Sequence, residues 1–162
     1  MRKVLFLIGS LKGGGAERAT ATVASELSKS FNLTLATGTK VDNINEYRLA
    51  DNVERISFSF NYNVKGFFEK IKEYICRLVK VRRYIIKNNI EILVGVCLSD
   101  AIRACLIKSI TDCQVIVSEH NNYYAVNSFL KRSLRNMVYS FSDRIVLLTE
   151  RDVKNYPFYL RS

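Results

Sequence analysis

Six short apolar runs constrain this chain most. They are Lys3 to Gly9, Leu33 to Thr37, Val53 to Phe58, Ile92 to Cys97, Gln114 to Ser118 and Arg144 to Leu148. The clearest of them are apolar throughout, with no alternation, so each expects cover on both faces, as in a parallel sheet. Helical patterns lie between them. One runs from Ala16 to Ser30, with Ala16, Ala19, Val23 and Leu27 at helical spacing. A second runs from Lys65 to Asn88, with Phe68, Ile71, Ile75, Leu78 and Ile85 as an apolar stripe. A third covers Asp100 to Ser109 behind a Ser99 cap, and a fourth Ser128 to Phe141. Thr149 and Asp152 form a capping box for a last short helix. The predicted fold is α/β: a Rossmann-like, doubly wound parallel sheet with helices on both faces.

One domain over 1–162 fits the length, and Pro157 as the sole proline leaves little room for long linkers. A polar loop containing Asp42, Asn43 and Asn45 separates the second and third strands, and Tyr156 to Ser162 supplies no closing element. The run after Arg2 and Lys3 breaks at Gly9 and Ser10, too short for a signal peptide's apolar core, so it reads as a first strand.

In such sheets ligands bind beyond the carboxyl ends of the strands. Four segments qualify: Ser10 to Gly15, Leu98 to Asp100, Glu119 to Tyr124, and Thr149 to Glu150. The first is the strongest candidate. Gly13, Gly14 and Gly15 let the backbone turn sharply, and the free amides of the next helix suit a phosphate or other anion, with Lys12 beside them. It matches neither the dinucleotide G-x-G-x-x-G, since Arg18 stands where a third glycine belongs, nor a Walker A loop. NAD binding and ATP hydrolysis are disfavoured.

His120, the only histidine, follows the fifth strand within Ser118-Glu119-His120-Asn121-Asn122. It is a candidate for hydrogen bonding to a phosphate or sugar hydroxyl, or for proton transfer, with Glu119 as the alternative base. Asn121 is a binding candidate in the same loop. Thr149 is explained by its capping role, and also stands where it can face the cleft. Ser99 and Asp100 read as helix caps.

The net charge of +10 attracts anions. The 65–88 helix concentrates it, with eight lysines and arginines against Glu69 and Glu73. A solvated face is the ordinary account. Docking on an anionic membrane surface is the sharper one. No nucleic-acid recognition motif is present. Cys76, Cys97, Cys105 and Cys113 lack C-x-x-C spacing, and with one histidine they exclude the usual zinc patterns; reduced buried thiols of a cytoplasmic protein are expected.

Gly14-Gly15-Ala16-Glu17-Arg18 after an amino-terminal strand resembles the GGAER signature of bacterial glycosyltransferases of family 4, which have the GT-B fold. Ser118-Glu119-His120-Asn121 resembles that family's strand-end segment with a histidine, and Ser142 to Glu150 resembles its "aD-x-hydrophobic-x-x-S/T-E" strand. The resemblance implies the amino-terminal, acceptor-side half of a two-domain enzyme. It implies that Gly14 and Gly15 approach the donor diphosphate and that His120 lies near the transferred sugar. It implies a nucleotide-sugar donor, a saccharide or lipid-linked acceptor in surface-polysaccharide assembly, retaining chemistry, and no metal or other cofactor. A cytoplasmic protein, peripheral on the inner membrane face, would suit such acceptors. No E-x7-E of the nucleotide-binding half occurs in suitable context, so residues 1–162 alone are expected to be inactive. Two alternatives stay open: a non-catalytic anion-binding module, and a peripheral membrane-binding protein.

Overall fold

A computed structural model describes residues 1–42 and 45–157. Asn43 of the polar loop and the tail 158–162 lie outside the described residues. The strands are β1 (Lys3–Ile8), β2 (Asn32–Thr37), β3 (Glu54–Ser57), β4 (Ile92–Val96), β5 (Gln114–Glu119) and β6 (Arg144–Leu147). The helices are α1 (Gly15–Leu27), α2 (Phe67–Asn88), α3 (Cys97–Lys108), α4 (Phe129–Tyr139) and α5 (Glu150–Asn155), with a 3-10 turn at Tyr123–Ala125. All five strand pairings are parallel, in the order β3-β2-β1-β4-β5-β6. This is the expected α/β sheet. Its order reverses between β1 and β4, which opens a crevice at their carboxyl ends.

Alternate residues of each central strand feed two cores. Leu5, Leu7, Leu93, Val115 and Val117 pack under α2, α3 and α4. Val4, Phe6, Ile8, Leu33, Leu35 and Val94 pack under α1 and the segment around Tyr47 to Val53. Two predicted helix faces need correction. The side of α1 that is buried is Thr20, Ala21 and Ala24, whereas Val23 and Leu27 are exposed. Small residues let this helix lie close to the sheet. In α2 only Val81 and Ile85 are fully buried, while Phe68, Ile71 and Ile75 stay exposed. Only the carboxyl-terminal half of that helix meets the sheet core. Cys76 is likewise exposed rather than buried, and all four thiols are free.

The predicted Ser99 cap is also wrong. Helix α3 begins at Cys97 directly after β4, with Val96 as its cap, so Leu98 to Asp100 is the first turn of a helix and not a loop. Close packing explains this. A Cβ on Gly95 would stand 2.6 Å from the Asp100 carbonyl oxygen, so only glycine lets α3 fold back against its strand. Cys97 takes φ 59° to make the sharp turn. The Thr149 cap holds: its hydroxyl accepts from the Asp152 amide at 3.1 Å and donates to the Asp152 carboxylate at 2.8 Å.

Asp143 ties three elements together. Its carboxylate accepts from Lys108 Nζ on α3 at 2.7 Å and from the Val115 amide of β5 at 2.6 Å, one residue before β6. Burial alone would raise its pKa, but these hydrogen bonds outweigh it and hold the carboxyl below its ordinary 3.8. A depressed carboxylate contributes stability above its unfolded pKa and loses it as pH falls. Asp143→Asn should therefore cost about 1 kcal/mol at neutral pH, a low value because the group is partly solvated. Thermal unfolding of both proteins checks this: the gap should close as pH drops through and below 3.8. A gap that persists in acid would refute the linkage.

Candidate functional site

The carboxyl edge gathers the end of β1, the glycine loop, the amino end of α1, Cys97 and the end of β5. Gly13 and Gly14 have φ of 61° and 76°. Gly14 combines φ 76° with ψ 154°, a conformation closed to residues with a Cβ, and the Glu17 side chain folds back over the space such a Cβ would take. Gly15 differs. It is the first helical residue, its φ is not positive, and a Cβ there would meet nothing within 4 Å. Its open side belongs to a shallow groove of about 500 Å³ shared with Gly14, Arg18, Ala19 and Tyr47.

Lys12 does not face this groove as a free cation. Its Nζ donates to Asp42 at 2.5 Å, an oxygen that also accepts from Asn45 at 2.9 Å. The expected convergence of Lys12 with the helix amides is thus corrected, because a nearby carboxylate captures the lysine. Tyr47 straps the loop instead: its amide donates to Leu11 O and its hydroxyl to Gly14 O, at 3.1 and 3.2 Å. Sequence reading missed Tyr47, which lies 33 residues from its partner in a segment without periodicity.

Glu119 closes β5 with its carboxylate buried. One oxygen accepts from the amide and the side chain of Asn121, at 3.1 and 3.2 Å, and the other from Tyr139 at 2.7 Å. Burial first, then the Glu119 charge, push the Tyr139 hydroxyl far above its ordinary value, so it remains a donor. Both Glu119 oxygens accept hydrogen bonds from within the fold, so this residue braces the loop. Asn121 stays exposed, with its side-chain amide held by Glu119.

His120 is half-buried at the mouth of an apolar groove of about 340 Å³. Ala19, Thr20 and Val23 of α1 form one wall, and Ile116, Val146 and Leu148 form the floor. His120 Nε2 shares a hydrogen bond of 3.1 Å with Ser118 Oγ, while Nδ1 has no protein partner among the described residues. One nitrogen orients the ring and the other is available to a ligand. Leu148 reaches this groove, but Thr149 is occupied with Asp152.

Cys97, Asp100 and Arg103 lie near the end of β4; of these, only Asp100 fell in a segment that the sequence offered as a ligand-binding loop, where it read as a helix cap. The Cys97 thiol is pushed up to about 11 by burial first, then by the carboxylates of Glu119 and Glu17. These effects keep the thiol protonated and unreactive at neutral pH. Behind it, Asp100 and Arg103 form an ion pair at 2% and 3% exposure. Arg103 also stacks over Phe60 at 4.9 Å, and burial lowers its pKa. Their i, i+3 spacing was visible in the sequence, but a helix starting at Cys97 was needed to point both inward. Among the described residues, no group of three or more His, Cys, Asp or Glu side chains is arranged to hold a metal ion.

This strand order and open carboxyl edge define a Rossmann-like α/β domain whose fold matches that of domains in GT-B proteins. No family model matches the chain. A Campylobacter jejuni protein, GalNAc-alpha-(1->4)-GalNAc-alpha-(1->3)-diNAcBac-PP-undecaprenol alpha-1,4-N-acetyl-D-galactosaminyltransferase, is 24% identical over 161 residues, spanning 99% of this chain and 44% of that protein. Sucrose-phosphate synthase from Thermosynechococcus elongatus superposes with a TM-score of 0.68 at 13% identity, over 96% of this chain and 45% of that one. MurG of Acinetobacter baumannii gives 0.58 at 13%, over 90% and 40%. The chain is thus homologous to a glycosyltransferase, and it spans less than half the length of these relatives.

Proposed function

We propose that this chain is the acceptor-side half of a retaining glycosyltransferase of family 4. The observation that carries the reading is that two grooves share Ala19 and Val23 of α1 as lining: one takes in the open side of Gly15, and the other holds His120 with Nδ1 free. The resemblance in Gly14 to Arg18 and the galactosaminyltransferase relative support it.

In this reading a sugar passes from a nucleoside diphosphate to an acceptor hydroxyl. The bond from the anomeric carbon to the diphosphate breaks, a bond to the acceptor oxygen forms, and the proton of that hydroxyl passes to the departing diphosphate. Gly14 and Gly15 form the wall that the donor diphosphate approaches, while a second domain supplies most donor contacts. His120 Nδ1 hydrogen-bonds the transferred sugar. Asn121 and Glu119 keep the His120 loop in place. The acceptor is a lipid-linked or surface saccharide, and α2 brings the domain to an anionic membrane surface. No helix among the described residues is long and apolar enough to cross a membrane, and the proposed association is peripheral.

Replacing His120 by Ala in the full-length protein should lower kcat/KM for sugar transfer about 100-fold. The expected stability change is small, because only one hydrogen bond to Ser118 is lost. Transfer measured with a radiolabelled nucleotide sugar checks this, and unchanged kcat/KM would remove His120 from the site.

A further inference from the structure

The segment from Glu46 to Asn52 runs alongside α1 and is fastened to it and to the glycine loop at three points. Tyr47 holds the loop, its amide donating to Leu11 O at 3.1 Å and its hydroxyl to Gly14 O at 3.2 Å. Further along, the Ala50 amide donates to Ser25 Oγ at 3.0 Å, and Asn52 Nδ2 donates to Ser28 O at 2.8 Å. The first fastening has a support that the others lack. Glu46 forms an isolated antiparallel bridge with Lys12 and turns its carboxylate to Arg55 of β3. Arg55 Nε donates to Glu46 Oε2 at 3.1 Å and Nη2 to Oε1 at 2.9 Å, while Nη2 also donates to Thr37 Oγ1 at 2.8 Å. The Glu46 and Arg55 side chains are only 6% and 15% exposed, so the pair is a shielded fork and not a screened surface contact. Contacts therefore run without a break from the sheet, through Arg55 and Glu46, to Tyr47 and the Gly14 carbonyl.

That carbonyl governs the next amide. A peptide unit is planar and trans, so the direction of Gly14 C=O fixes the direction of the Gly15 N–H on its other side. The loop's own backbone restrains this plane weakly. Gly13 and Gly14 both have positive φ, and glycine moves between such regions with little steric resistance. The Arg18 amide reaches Gly14 O at 3.4 Å, a long bond, and the Tyr47 hydroxyl is the nearer donor. We propose that Tyr47 is a positioning residue: its hydroxyl, steadied by the Glu46–Arg55 pair, fixes the Gly14–Gly15 peptide and so the wall presented to a donor diphosphate. Tyr47 lines the same groove as Gly14 and Gly15. The inference rests on the proposed reading, in which the diphosphate approaches these glycines, and adds the residue that sets their orientation.

Two measurements on full-length Tyr47→Phe test it. The ring that packs on the α1 core is kept, so the variant folds. Hydrogen exchange without substrate reads the restraint itself. The Arg18 amide bonds to Gly14 O, and its exchange should accelerate about fivefold when the hydroxyl is lost. Steady-state transfer reads the consequence. KM for the nucleotide-sugar donor should rise about tenfold, with kcat and the acceptor KM within about twofold of wild type. Glu46→Gln, which weakens the hold on Arg55, should shift donor KM in the same direction. Asn52→Ala loosens the far end of the segment and should lower the melting temperature while leaving donor KM as in wild type. Wild-type exchange at Arg18 in Tyr47→Phe would overturn the inference, as would a donor KM unmoved by Tyr47→Phe in an enzyme whose transfer Gly15→Val impairs. If the wild-type protein transfers no sugar, the functional reading fails by itself, and the exchange rate still decides whether Tyr47 restrains the loop.

Discussion

Gly15→Val in the full-length protein is expected to reduce kcat/KM for sugar transfer by about 100-fold, with unfolding stability unchanged. The two halves of this expectation come from the same backbone. Gly15 has no positive φ and its missing Cβ points into open space, so valine costs the fold nothing by strain or clash. Surface changes of that kind stay within about 0.5 kcal/mol. In the proposed reading, the added isopropyl group would occupy the volume where the donor diphosphate approaches. Displacement of a reacting group by about 1 Å costs on the order of 100-fold. Gly14 is the poorer probe. Its φ of 76° with ψ 154° strains any other residue, so lost activity there would be confounded by lost folding. Matched transfer assays and thermal melts decide the matter: normal turnover by Gly15→Val would detach the glycine loop from the site.

Asp100→Ala should be the most damaging single change to stability, by about 3–5 kcal/mol, because it strands the Arg103 guanidinium in a buried position. For a domain of this size that corresponds to a fall in Tm of roughly 10 °C. The other neighbours of Arg103 include the faces of Phe60 and Tyr74, at 4.9 and 5.9 Å, which attract a cation but do not replace a carboxylate. The double change Asp100→Ala with Arg103→Met removes the stranded charge and should recover most of the loss. Thermal denaturation of the single and double variants checks both statements. A single variant as stable as wild type would show that Arg103 finds water or another partner. Asp100 also lies beside the end of β1, its Oδ2 3.8 Å from where a Cβ on Gly9 would stand, so its loss should also loosen that strand end.

How much could be read from residues alone differs between elements. The sheet was legible because burial on both faces forces continuous apolar runs, and β1, β2, β4 and β5 end within a residue of their predicted limits. The Thr149 cap was legible because its partner lies three residues away. The apolar faces of α1 and α2 were not. Periodicity gives the angle of a stripe but not which neighbour covers it, and in both helices a large part of the stripe faces outward. The start of α3 was missed because Gly95 permits a contact that no local pattern encodes.

The site shows the same division. Sequence by itself determined that glycines 13–15 lead into a helix and that His120 follows a strand, since both depend on neighbours in the chain. Tertiary structure decided what these residues face. It gave Lys12 to Asp42, committed both oxygens of Glu119 to Asn121 and Tyr139, and left Gly15 and His120 Nδ1 open. The physical reason is that hydrogen bonds and ion pairs act over a few ångströms of space. Lys12 and Asp42 are 30 residues apart, and Glu119 and Tyr139 are 20 apart. Only the closed fold brings such groups within reach of each other.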